Sequence, residues 1–112
     1  MSKSILVRHK VAEGDKDEEV PLTGEQSFQK YWVGAAKVLG LKWFELFSIG
    51  CPVYHEDIDS VRSEVVLLKT YFEDGPLGVP ADIRAFAMER LAAFEEVLSR
   101  SKLDPNIELF VG

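Results

Sequence analysis

The chain has little cysteine and no long apolar run. Cys51 is the single cysteine among 112 residues, so an internal disulfide is excluded. One free thiol is typical of a protein in a reducing compartment, and we predict the cytoplasm. No apolar run approaches the length that a membrane-spanning helix needs, and the N-terminal stretch MSKSILVRHK has no small-residue cleavage site of a secretory signal. Membrane association is therefore not expected.

Basic residues are also scarce. The 13 lysines and arginines stand against 19 aspartates and glutamates, which gives a formal net charge of −6. Nucleic acids and anionic lipids are bound through basic surfaces, so an acidic chain is not expected to bind either of them. Opposite charge speeds association between proteins, so this composition is compatible with a basic protein partner.

What is present is the composition of an ordinary globular protein. The sequence is 46% hydrophobic and 29% charged. A chain of 112 residues is long enough to bury a core without support from a metal or a disulfide. We predict a single domain over residues 1–112.

The beginning of the chain predicts a strand, a charged connection and a helix. Residues 4–10 have the β-rich pattern of a strand, and the acidic stretch 12–21 predicts a solvated loop or a short edge strand. Thr23 precedes a glutamine by three residues, which is the spacing of a helix cap. The helix is expected to end near Leu39, because Gly40 follows.

The remainder predicts two long helices between extended segments. The aromatic stretch 42–48 favours a strand, which a turn at 50–52 joins to a short extended piece in a hairpin. Apolar residues recur at spacings of three and four over 57–73 and again over 80–102. Alternation over 107–111 predicts a final strand. We therefore expect an α+β fold: a small, mostly antiparallel sheet packed on one face by about three helices, including a C-terminal αα-hairpin.

The segment LVRHKVAEGD…PLTGEQSFQKYWVG resembles the start of the histidine phosphatase, or phosphoglycerate mutase-like, superfamily. In that family a first strand ends in Arg-His, and Pro-Leu-Thr leads into a helix in which glycine and glutamine recur. Arg8 and His9 match the strand end, and residues 21–23 match the start of the second element. The resemblance implies that His9 accepts a phosphoryl group and that Arg8 binds its oxygens.

Other positions depart from the pattern of that family. Lys10 and Val11 replace the small residue and the acid that follow the histidine there, and no histidine follows His55 to supply the second one. We therefore predict that Arg8 and His9 end a strand without a catalytic function, and we assign no catalytic residue. A reduced histidine-phosphatase-like enzyme that uses His9 and Arg8 is the alternative.

No metal or cofactor is expected. The stretch CPVYHEDID at 51–59 holds one cysteine and one histidine, which are too few for a zinc site, and its acids are typical of the first turn of a helix. Cys51 and His55 are an alternative catalytic pair, against the simpler interpretation of an inert thiol. The acidic stretch from Glu13 to Glu19 lacks the turn glycine of an EF-hand loop.

Two groups of residues are predicted to bind a partner. Asp17, Glu18 and Glu19 form a negative patch. Trp43 and Phe44 point to opposite faces of the expected strand at 42–48, and both faces cannot be exposed to water. One face is therefore covered by the core or by a partner, and a homodimer is one way to cover it.

The sequence predicts a small, acidic, non-enzymatic cytoplasmic protein that acts by binding another protein. One form of this function is an immunity or antitoxin-type protein that neutralises a basic toxin, by analogy of size and charge. The phosphatase-like enzyme and a purely structural homodimer are the alternatives.

Overall fold

In the computed structural model, residues 2–11 and 14–112 are described, and residues 11 and 14–16 are described by their backbone alone. Glu13, at the start of the acidic stretch, lies outside the described residues. Helix α1 covers residues 25–39, and its six middle residues, Phe28–Val33, are π-helical. The elements in chain order are β1 (Ser2–Val11), β2 (Gly14–Gly24), α1 (Glu25–Ser27, Phe28–Val33 and Gly34–Leu39), α2 (Trp43–Phe47), β3 (Cys51–Val53), a 3-10 turn (His55–Asp57), α3 (Ile58–Glu73), α4 (Ala81–Leu103) and β4 (Ile107–Val111).

The strands form one antiparallel sheet in the order β2-β1-β4-β3. Successive side chains of a strand point to opposite faces of a sheet. Ile5 and Val7 of β1 are buried, whereas Leu6 and Arg8, which alternate with them, are half-buried. The sheet therefore has one face covered by helices and one open face, and the α+β fold expected from the sequence is confirmed.

The core lies between the covered face and the helices. Helices α3 and α4 follow one another closely and pack together as the expected αα-hairpin. Trp32 of α1, Phe44 of α2 and Phe94 of α4 form an aromatic cluster, with ring centroids 6.2 Å apart for both Trp32–Phe44 and Phe44–Phe94. Such rings contribute more buried apolar area than any other side chains, so this cluster fixes the helices on the sheet.

The strand and hairpin predicted around 42–55 are wrong. Residues Trp43–Phe47 form the short helix α2, and β3 pairs with β4 at the other end of the chain. The pattern is ambiguous because Phe44 and Phe47 are three positions apart and both fully buried, which is also the spacing of one helix face. Contact with the core decides in favour of the helix, against the β propensity of the aromatic residues.

The helix cap predicted at Thr23 also differs from the one in the structure. Thr23 is nearly buried within β2, opposite Lys3 of β1, and α1 begins at Glu25 with Gly24 as its N-cap. The acidic stretch is an edge strand, as one of the two expectations stated, and it extends over Gly14–Gly24. Gly40 ends α1 as predicted, because it adopts the left-handed conformation with φ of 72°.

Candidate functional site

The open face of the sheet is the candidate site. Alternation along the strands places Leu6 and Arg8 of β1, Pro52 of β3, and Glu108 and Phe110 of β4 on this face. These side chains line a depression of about 280 Å³. Phe110 is 43% exposed. An apolar centre of this kind, open to water on a sheet face, is suited to contact with another protein.

The Phe110 ring rests on glycine. A Cβ at Gly50 would lie 3.0 Å from Phe110 Cζ, and a Cβ at Gly112 would lie 2.7 Å from Phe110 Cε1. Gly50 also has φ of 106°, a conformation that side-chain-bearing residues rarely adopt. The two glycines therefore give the ring a fixed seat, and a positioned aromatic side chain loses little entropy when a partner covers it.

Charged groups surround this apolar centre. Arg8 Nε donates to Asp17 Oδ1 at 3.0 Å, and Lys10 Nζ lies 2.7 Å from Glu108 Oε1. Glu19 of β2 faces Leu6 in the β1–β2 register and has no ion pair among the described residues. Acidic groups thus outnumber basic ones around the depression, and one of them has no internal counter-charge.

A second depression of about 420 Å³ adjoins the first and shares Pro52, Glu108 and Leu109 with it. Tyr54, 61% exposed, and Glu56 line its far side. The open face, as the term is used below, comprises both depressions and the side chains of Asp17 and Glu19 on β2. It presents aromatic and aliphatic side chains together with carboxylates.

Arg8 and His9 do not meet in the structure. They are neighbours within β1, so Arg8 points to the open face and His9 to the helix-covered side. His9 Nε2 lies 3.6 Å from Glu18 Oε2, and Arg8 is paired with Asp17. The two side chains that the phosphatase resemblance assigns to one phosphate therefore lie on opposite sides of the sheet, each beside a carboxylate.

The acidic residues predicted to bind a partner divide in the same way. Asp17 and Glu19 face the open side, whereas Glu18 points to the helix side, where its Oε2 lies 3.8 Å from Arg100 Nη1. All three are exposed. Asp17 and Glu19 therefore belong to the candidate site and Glu18 lies behind it.

Trp43 and Phe44 lie away from the open face, on α2. Phe44 is fully buried in the aromatic cluster, so the prediction that it contacts a partner is corrected. Trp43 is half-buried, and its Nε1 donates to Ser60 Oγ at 3.0 Å. The backbone N–H of Trp43 donates to Glu64 Oε1 at 2.9 Å, so this residue joins α2 to α3.

Cys51 and His55 show no mutual contact. Cys51 Sγ donates to the Pro52 carbonyl at 3.3 Å, and His55 Nε2 lies 3.0 Å from the Lys102 carbonyl oxygen. Burial, together with the negative charge of Asp57, raises the pKa of the Cys51 thiol above 9.0. A raised pKa keeps the sulfur protonated, which is unfavourable for a nucleophile.

Among residues 2–11 and 14–112, no group of three or more metal-ligating side chains is close enough to hold a metal ion. Within the same ranges, no helix combines the length and the apolar character needed to cross a membrane.

The sequence pattern alone does not predict the residues that dominate the site. It places Phe110 and Leu6 only within their strands, although each is out of phase with the core-facing residues beside it. In the final strand the half-buried Ile107 and the buried Leu109 and Val111 face the core, which leaves Phe110 on the opposite face. A phenylalanine on the polar phase of a strand is the signal that would have identified the site.

Compared with known proteins, the chain matches no family model, no curated protein and no solved structure, so its own surface is the basis for assigning a function.

Proposed function

We propose that this chain is a non-enzymatic protein-binding module that holds a basic protein on the open face of its sheet. The observation that carries the proposal is Phe110, an aromatic side chain that rests on glycines at the centre of a sheet face that no helix covers within the described part of the chain. Aromatic side chains at the centre of an interface contribute much of its binding energy.

The sign of the partner's charge follows from the surroundings of Phe110. Asp17, Glu19, Glu56 and Glu108 stand on or beside the open face, and the chain as a whole carries a net charge of −6. A basic surface is attracted to this face, and it associates faster at low salt. An acidic face with an exposed aromatic centre suits an immunity or antitoxin-type protein that covers the active surface of a basic toxin. We place this activity in the cytoplasm because of the single free cysteine.

Capture of proteins by variants of the chain tests the proposal. Phe110→Ser removes the central ring. Phe86→Ser is the matched control, because Phe86 lies on α4 and is 48% exposed, close to the 43% of Phe110. We expect the native chain and Phe86→Ser to capture the same basic protein, and we expect Phe110→Ser to bind it about tenfold more weakly or worse.

Tyr54→Ala provides a second variant on the same face, should Phe110→Ser lose stability. Each variant is first checked by thermal unfolding. Equal capture by Phe110→Ser, Tyr54→Ala and Phe86→Ser would overturn the open face as the binding surface. Capture of no basic protein at low salt would overturn the proposed function itself.

A further inference from the structure

The hydrogen-bond phase of β1 determines which backbone groups of the sheet are free. Ser4 and Gly112 exchange both N–H···O bonds at 3.1 Å, and the Lys10 N–H donates to the Asn106 carbonyl at 3.0 Å. In an antiparallel pair every second residue bonds to the same neighbour. Even-numbered residues of β1 therefore bond to β4, and odd-numbered residues bond to β2.

The alternation of hydrogen-bonded residues along β1 also determines the alternation along β2. Val7 is paired with Glu18 in the register, so Glu18 uses its backbone N–H and carbonyl on β1. Asp17 and Glu19, on either side, direct theirs away from the sheet. Because β2 is the last strand in the sheet order, these groups meet no further strand.

One end of the β2 edge is occupied by a side chain, and the rest is accessible to a further strand. Arg90 Nε of α4 donates to the Pro21 carbonyl at 2.8 Å, which occupies the edge there. Asp17, Glu18 and Glu19 are exposed, and no backbone bond to the outer side of β2 is found among the described residues. A stretch of three residues is enough for pairing in this sheet, since β3 is no longer than that.

The charges of Asp17 and Glu19 determine which kind of strand can pair with the edge of β2. In a second copy of β2 paired antiparallel around Glu18, Asp17 would face Glu19 and Glu19 would face Asp17, and like charges directly opposite one another are destabilising. The acids therefore guard the edge against self-pairing. A strand with lysine or arginine at alternate positions places positive charges opposite Asp17 and Glu19 instead, on the same side of the sheet as Phe110.

We infer that an extended basic segment of the partner adds to β2 as a fifth strand, with its basic side chains towards the open face. Main-chain hydrogen bonds supply affinity in this mode, and alternate side chains supply specificity. The inference rests on the proposed function and specifies how the partner is held.

Amide hydrogen exchange measured by NMR tests the inference with a defined probe. The probe is an acetylated and amidated heptapeptide, Thr-Lys-Val-Lys-Val-Lys-Thr, and its control has glutamate in place of lysine. At saturating probe we expect the Asp17 and Glu19 amides to exchange about tenfold more slowly, because they gain backbone partners. Saturating probe that leaves both amides at their free rates would overturn the inference, as would equal protection by the glutamate peptide.

A pair of substitutions separates the backbone bond from the charge. Glu19→Pro removes an outward N–H, which an edge strand tolerates, and Glu19→Gln removes the charge alone. We expect Glu19→Gln to weaken binding of the lysine probe by about threefold and Glu19→Pro by about tenfold. Equal losses in both variants would contradict strand addition. A protein whose capture requires Phe110, but is weakened equally by Glu19→Gln and Glu19→Pro, would support the proposed function and contradict strand addition.

Discussion

At the scale of single residues, Phe44 shows how burial separates a folding role from a binding role. Its ring centroid lies 5.4 Å from that of Phe47 and 6.2 Å from that of Phe94, and none of it is exposed. Phe44→Ala is expected to lower the free energy of unfolding by about 3–5 kcal/mol, because a cavity replaces the ring. Guanidinium unfolding measures this loss.

Leu46→Ala is the control for Phe44→Ala, because Leu46 lies on the same helix and is 46% exposed. It is expected to change the free energy of unfolding by about 0.5 kcal/mol. Losses of similar size for the two variants would contradict the placement of α2 against the core.

The Cys51 thiol is expected to react slowly. Burial, aided by Asp57, raises its pKa above 9.0, so the thiolate is a small fraction at neutral pH. Alkylation by iodoacetamide should be slower in the folded chain than in the chain unfolded in guanidinium, and its rate should reach its midpoint at a higher pH in the folded chain, because the thiol pKa is raised there. A midpoint at or below that of the unfolded chain would reopen a nucleophilic role for Cys51.

Hydrolysis of an aryl phosphate is expected to stay at background in the native chain and in His9→Ala alike. Arg8 and His9 point to opposite sides of β1, and the carboxylates of Asp17 and Glu18 beside them repel a phosphate. A release of p-nitrophenol that disappears in His9→Ala would restore the phosphatase alternative.

At the scale of elements, hydrophobic periodicity predicts most of the helices and strands. The spacing of three and four along α3 and the alternation in β4 predict both elements, because each has one buried face of constant phase. Helix α2 could not be predicted this way, since five residues are too few to show a helical period. The pairing of β3 with β4 depends on contacts across 56 to 60 positions of the chain, which local patterns do not encode.

The candidate site was predictable only in part. The acids at 17–19 were recognised from their charge, and two of them do lie on the open face. Phe110 is harder to predict, because the alternation of its strand indicates the core residues, and Phe110 lies on the opposite face.

An ion pair joins the ends of the two long helices. Asp59, in the first turn of α3, accepts a hydrogen bond from Lys102 Nζ of α4 at 2.8 Å. This bond and the charge of Lys102 hold the pKa of Asp59 below 3.8. Because the folded chain binds the proton less tightly than the unfolded chain, the stabilisation is complete above pH 3.8 and is lost as the pH falls through the lower folded value.

Asp59→Asn is therefore expected to be less stable than the native chain at pH 7, with a difference that disappears well below pH 3.8. Thermal unfolding across this range measures it. Lys102→Met should cause the same loss at pH 7, and the double variant should lose no more than either single variant, because both remove one interaction. A difference that persists unchanged into acid would contradict the assignment.

At the scale of the whole molecule, the two sides of the sheet differ in what covers them. The helices cover one side and bury the aromatic cluster, while the other side keeps Leu6, Pro52 and Phe110 in contact with water. The free edge of β2 borders that open side. A partner that lies on the open face is therefore within reach of the strand edge, and its basic side chains meet the acids between the two.

The measurement that tests this account most directly is a map of amide chemical-shift changes when the captured basic protein is added to the isotope-labelled chain. We expect the changes to concentrate on the open face, at Leu6, Glu19 and Phe110. Exposed apolar positions on the helices, such as Leu67 and Phe86, should keep their free-protein shifts. Changes centred on those helix positions, with the signals of the open face unmoved, would contradict the account.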